Sequence, residues 1–174
     1  MKAASIGDNA DAQYIVARMY LNGKGTNKDE GEAFVWLSKS AEQGYKDSMY
    51  GLGWMYGSGK GVDKDYFKAI EWYQKAAEQG YEKTYNELAW TLHLLGRYNE
   101  ALPWAEKAVE AFSETPYVID TLAAVYQDLC RYDEALEQFE LCLKLKHEQN
   151  ATDDSIHETE EKIASLKNMI KTNS

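Results

Sequence analysis

Proline is nearly missing from this chain of 174 residues: only Pro103 and Pro116 occur. That scarcity leaves little to interrupt helices, and the abundance of Ala, Glu, Lys, Leu and Tyr suits a nearly all-helical chain with short turns. Cysteine is as scarce. Cys130 and Cys142 fall, in a helical reading, at the end of one helix and about nine residues into the next, about 13 Å along its axis and beyond disulfide reach. Two free thiols are expected, which fits a reducing compartment and a cytoplasmic location. Positive charge is in deficit, with 19 Lys and Arg against 29 Asp and Glu and a formal net charge of -10. Phosphate backbones and anionic membrane surfaces are repelled by such a chain, so nucleic-acid binding is not expected. No apolar run approaches the roughly 18 residues that span a bilayer, and Met1 to Gly7 lacks the apolar segment of a signal peptide. Membrane insertion is therefore not expected, and a signal removed earlier or a periplasmic location stays open.

Chemistry-bearing motifs are also wanting. His93, His147 and His157 fall on different elements, and no paired Cys-x-x-Cys, His-Glu-x-x-His or phosphate loop is present. No catalytic residue, metal or cofactor is expected. The acidic run from Asp153 to Glu161 reads as a solvated first turn of a helix before it reads as a recruiter of basic partners.

What the chain has is repetition. Residues 10–45 set against 46–81, an offset of 36, agree at about half the positions. Tyr14, Met19, Tyr20, Gly23, Lys24, Gly25, Lys28, Asp29, Ala33, Trp36, Lys39, Ala41, Gly44 and Tyr45 recur as Tyr50, Met55, Tyr56, Gly59, Lys60, Gly61, Lys64, Asp65, Ala69, Trp72, Lys75, Ala77, Gly80 and Tyr81. Val16, Met19 and Tyr20, then Leu52, Met55 and Tyr56, line one face of a first helix. Gly-Lys-Gly reverses the chain, Asp29 or Asp65 opens a second helix, and Gly44 and Gly80 end it in the left-handed region. Tyr20, Tyr56, Trp36 and Trp72 are assigned to the core between helices.

This pattern resembles the Sel1-like repeat. Past Tyr81 the offset becomes 34, with Asn99 to Leu102 meeting Asp133 to Leu136 and Gly96 meeting Cys130, a pattern similar to the tetratricopeptide repeat of the same superfamily. Thr115 with Pro116 reads as an N-cap and first helical position, while Pro103 costs a backbone hydrogen bond unless its helix starts late. The resemblance implies an all-α, right-handed superhelical stack of antiparallel helix pairs, an alpha solenoid. Its expected divisions are the end of a truncated repeat at 1–9, Sel1-like repeats at 10–45 and 46–81, tetratricopeptide repeats at 82–115 and 116–149, and a capping helix at 152–171. Ile156, Ile163, Leu166 and Ile170 supply that cap's apolar face. Ala3 to Gly7 resembles the helix-ending Ser40 to Gly44, so the chain is read as cut from a longer array or as burying its first face against another molecule, including by end-to-end self-association.

The resemblance further implies a non-enzymatic scaffold or adaptor of bacterial origin that holds a protein or peptide in a concave groove lined by first helices. Carried onto this chain, the groove positions are Tyr14, Arg18, Tyr50, Trp54, Asn86, Trp90, His93 and Asp120. Trp54 and Trp90 are read equally as inter-repeat packing. Acidic C-terminal tails of the chaperone kind are not expected, since Asn86 alone survives of that clamp. Two alternatives remain: a helical arm of a larger protein, and a cell-wall-related hydrolase like cysteine-rich relatives, whose paired cysteines this chain lacks.

Overall fold

A computed structural model describes residues 9–173, so the reading of Ala3 to Gly7 lies outside the described residues. Among the described residues every element is an α-helix: α1 Ala10–Asn22, α2 Glu30–Glu42, α3 Lys46–Ser58, α4 Tyr66–Glu78, α5 Lys83–Leu94, α6 Tyr98–Ala111, α7 Pro116–Asp128, α8 Tyr132–Glu148 and α9 Asp153–Asn173. The chain divides into two compact units, Met1–Thr91 and Leu92–Ser174, with the division inside α5.

In the first unit the helices form antiparallel pairs, and side chains tie their ends together. Ser40, near the end of α2, donates to the Ala10 carbonyl at the start of α1 (2.6 Å), and Ser48 of α3 donates to Ser40 (2.7 Å). At the opposite end the Asp29 N–H donates to the Tyr20 carbonyl (3.0 Å), and Asp65 N–H repeats this with Tyr56 (2.9 Å). Both aspartates cap the second helices as the sequence indicates: Asp29 accepts from the Glu32 N–H, and Asp65 from those of Phe67 and Lys68. Such acceptors satisfy N–H groups that a first helical turn cannot.

The core follows the four-residue spacing of α2, where Ala33, Leu37 and Ala41 meet Ala17 of α1 and Met49, Leu52 and Met55 of α3. Leu37 is 1% exposed, and burying such a side chain stabilises by about 2 kcal/mol. Tyr20, Trp36 and Trp72 pack half-buried against this cluster, as assigned. Met19 departs from expectation. It is 36% exposed while its repeat partner Met55 is fully buried, because α2 covers α3 on that side and no described element covers α1 there.

The second unit contains α6 to α9. Ala101, Ala105 and Ala108 of α6, Val118, Ile119, Leu122 and Val125 of α7, and Phe139 and Cys142 of α8 are among its buried residues, joined by Ile163 and Leu166 of α9. Ile156 and Ile170 are half-buried on α9. Lys146, near the end of α8, anchors α9 by donating to the Ser155 carbonyl (2.9 Å) and the Thr159 hydroxyl (2.7 Å).

Three local readings are resolved here. Thr115 occupies the N-cap position before Pro116, but its side chain makes no capping bond. Pro103 lies inside α6, which starts at Tyr98 and not late, so the Asn99 carbonyl loses its helical donor, as the sequence indicates, on a face exposed to solvent. Cys130 stands two residues past the end of α7 in a left-handed conformation (φ 59°), the place where Gly96 sits in the preceding repeat (φ 71°). Both thiols are free, Cys130 exposed and Cys142 buried, and burial pushes the Cys142 thiol up to about 11.

Candidate functional site

Four of the eight groove residues come together in the first unit. Tyr14 and Arg18 of α1 and Tyr50 and Trp54 of α3 line a cleft of about 240 Å³, completed by Leu21, Asn22, Asp47 and Gly51, with Leu37 of α2 beneath. They share a face because each pair is spaced by four on its helix. Leu37 reaches the cleft because Gly51 has no side chain: a Cβ there would stand 3.1 Å from a Leu37 methyl. Arg18 is exposed and its guanidinium lies 5.8 Å from the Tyr14 ring centre, while Lys60 stands 4.7 Å from the Trp54 ring. Trp54 serves both readings of the sequence, half-buried against the core and open to the cleft.

The cleft is bordered by a repeating tyrosine–carboxylate seam. Tyr45, ahead of α3, donates to Asp11 of α1 (3.0 Å), and Tyr81, ahead of α5, donates to Asp47 of α3 (2.5 Å). Tyr45 and Tyr14 also meet in a tilted ring contact, their centres 5.2 Å apart. The hydrogen bond to Asp11 pushes the Tyr45 phenol up to about 12. Burial first, then the bond to Asp47, holds Tyr81 well above the ordinary tyrosine range, and burial with the nearby Glu87 charge does the same for Tyr73. Glu87 is itself raised by burial.

Raised phenols favour the protonated form in the folded state. The stability they add is fully present below the ordinary value of 10 and is lost as pH rises through their folded values. Alkaline titration should therefore show tyrosinate absorbance and loss of helical circular dichroism rising together above pH about 10. Full ionisation of the tyrosines near pH 10 with helicity intact would contradict it.

The other groove residues are placed differently. Asn86 and Trp90 lie on α5, Asn86 with a buried Oδ1 that has no hydrogen-bond partner among the described residues and Trp90 40% exposed. Neither is among the residues lining the cleft. His93, in the second unit, meets Asp128 of α7 at 2.7 Å and makes a tilted ring contact with Tyr98. Asp120 accepts from Lys162 of α9 (2.9 Å), so the helix that closes this unit engages it. His147 and His157 sit on α8 and α9, with His157 facing Glu160 and Glu161. Among the described residues no cluster of three metal-ligating side chains occurs, and no helix is long and apolar enough to cross a membrane.

Comparison with known proteins matches the Sel1 repeat at residues 10–45 and 46–81, and the tetratricopeptide repeat at 83–113 and 119–148. The chain thus carries two Sel1 repeats followed by two tetratricopeptide-type repeats. No curated protein matches it in sequence. Among solved structures, a Sel1 repeat protein from Oxalobacter formigenes is similar, with 27% identity and a TM-score of 0.67 over 80% of this chain and 58% of that one. A protective antigen of uropathogenic Escherichia coli with the same repeat fold shares 26% identity and a TM-score of 0.65, over 94% of this chain and 40% of that one. MamA from Desulfovibrio magneticus shares the fold at 16% identity and a TM-score of 0.66, over 94% and 98% of the two chains. This chain thus spans about half the length of the two Sel1 structures. The repeats place it with protein-interaction scaffolds as a class.

Proposed function

We propose that the chain is a non-enzymatic adaptor that holds a peptide segment of a partner protein in the cleft between α1 and α3. The observation that supports this is the convergence of Tyr14, Tyr50 and Trp54 on an open cleft floored by Leu37, with the exposed Arg18 guanidinium at its side. Rigid aromatic side chains bury large areas on binding at small entropic cost, and arginine adds directional donors, so these residues serve as anchors. The cleft carries both signs, with the Asp47 carboxylate on its lining facing the Arg18 and Lys60 cations.

The test places a photo-crosslinking amino acid at Arg18 and maps the cross-linked partner, beside a Trp54→Ala variant. The variant should lower partner capture at least about tenfold, as hot-spot truncations do, with far-ultraviolet circular dichroism unchanged. Undiminished capture by a folded Trp54→Ala variant would move the site elsewhere. A second reading, a helical arm within a larger assembly, is favoured by a separate observation: the open apolar side of α1, where Ile15 is 52% exposed and Met19 36%.

A further inference from the structure

Internal repetition specifies what covers that open side of α1. Ile15, Met19, Lys24 and Gly25 correspond, 36 residues on, to Gly51, Met55, Lys60 and Gly61. In the second repeat this side is occupied by α2. Leu37 of α2 packs on Gly51, the Glu30 carbonyl at the start of α2 sits where a Gly61 Cβ would be, and Met55 is fully buried. The Lys60 charge acts on Glu30, helping hold its carboxyl below the ordinary range after the closer bond to Lys28.

The first repeat keeps this seat nearly unchanged, and no other described element covers it. Ile15, Arg18, Met19, Asn22 and Lys24 line a cleft of about 180 Å³. Gly25 keeps the positive φ of Gly61 (78° against 71°), and among the described residues a Cβ on it would meet nothing nearer than the Met19 methyl, so no described backbone takes the place of the Glu30 carbonyl. Lys24 is exposed and keeps the position of Lys60. One position differs. Ile15 stands where Gly51 admits Leu37, and even a lone Cβ at Gly51 would crowd two Leu37 methyls at 3.1 and 3.2 Å.

We infer that this side of α1 is a docking seat for an amphipathic partner helix of the α2 kind, with an acidic first turn at Lys24, its first carbonyls over Gly25, and a small residue, not leucine, opposite Ile15. The seat selects by shape as well as by charge: the isoleucine fills the hole that a leucine knob needs, so an unaltered α2 from a second copy of this chain is excluded by overlap. The seat shares Arg18 and Asn22 with the cleft between α1 and α3 but none of its aromatic anchors.

The probes are two helix-stapled peptides of residues 29–43, one native and one carrying L37A, stapled on the face opposite residue 37 because so short a helix is marginal alone. They are titrated into the full chain while the Ile15 and Met19 methyl signals are followed. The L37A peptide should shift both signals and bind at least about tenfold more tightly than the native peptide, the scale of a removed steric overlap. In an I15G chain the preference should invert, and K24E should weaken both peptides. If I15G loses helicity, I15A serves instead; its lone Cβ still crowds a leucine, so there the preference for L37A should narrow without inverting. Equal or stronger binding of the native peptide to the unaltered chain would overturn the inference. So would absence of methyl shifts with either peptide, or concentration-dependent self-association of the chain that I15A abolishes.

Discussion

Replacing Gly61 by alanine is expected to destabilise the protein by about 3 kcal/mol or more, through left-handed strain and overpacking together. Gly61 adopts φ 71°, a region that costs a residue with a Cβ roughly 1–2 kcal/mol. The added carbon would also stand 2.2 Å from the Glu30 carbonyl oxygen and 2.5 Å from its carbon, and both atoms belong to the backbone of α2. A side chain could swing away; the first turn of a helix cannot without losing the Asp29 cap that holds it. The same change at Gly25 supplies the internal control. There the strain persists but the nearest atom is a flexible methionine methyl at 3.1 Å, so Gly25→Ala should cost about 1–2 kcal/mol. Denaturant titration of both variants reads the difference directly. Equal losses would mean that the contact between the Gly61 turn and α2 is not formed.

A second large effect is expected at Gly53, for packing alone. Gly53 is buried inside α3, and a Cβ would lie 2.4 to 2.9 Å from three atoms of the Tyr73 ring on α4. Tyr73 is 3% exposed and lies 5.9 Å from the Tyr50 ring, so it has little room to retreat. Gly53→Ala should therefore cost about 2–3 kcal/mol despite alanine's better helix propensity. The first repeat already contains the compensated solution. Ala17 and Leu37 occupy the positions of Gly53 and Tyr73, and both are fully packed. The double variant G53A with Y73L should recover a large part of the loss, seen as a midpoint shift of opposite sign in a denaturant series. Additive losses from the two changes would show that the pair does not act as a unit.

That pair also marks where sequence reading stops. Helix spans, the aspartate caps and the left-handed glycines were legible because each depends on residues within one turn of itself. The trade of Ala17 with Leu37 for Gly53 with Tyr73 joins positions 20 residues apart, and each change taken alone reads as drift. Met19 and Met55 are identical residues in nearly identical strings, yet one is exposed and the other buried, because burial belongs to the neighbouring layer. Likewise, nothing local to Asp120 announces Lys162, 42 residues further on. Of the groove, the four residues on α1 and α3 were readable from repeat phase, which a common helix geometry carries from one copy to the next. Asp120 is already engaged by a helix outside the repeat pattern, and Thr115 fails to cap because residue type alone does not fix a side chain's direction.

The tyrosine seam carries one further consequence, for how such a chain changes length. Donor and acceptor are both written inside the repeat: the tyrosine that closes one unit bonds the aspartate in the opening helix of that same unit, Tyr45 to Asp11 and Tyr81 to Asp47. A copied 36-residue segment inserted after Tyr45 would bring its own partner pair and leave every existing pair in register. Growth by duplication therefore meets no mismatch at this seam within the Sel1 part. At position 83, where the next acceptor would fall, the residue is lysine. The run of self-matching units ends there, and a duplication that crossed it would have to find a different fastening.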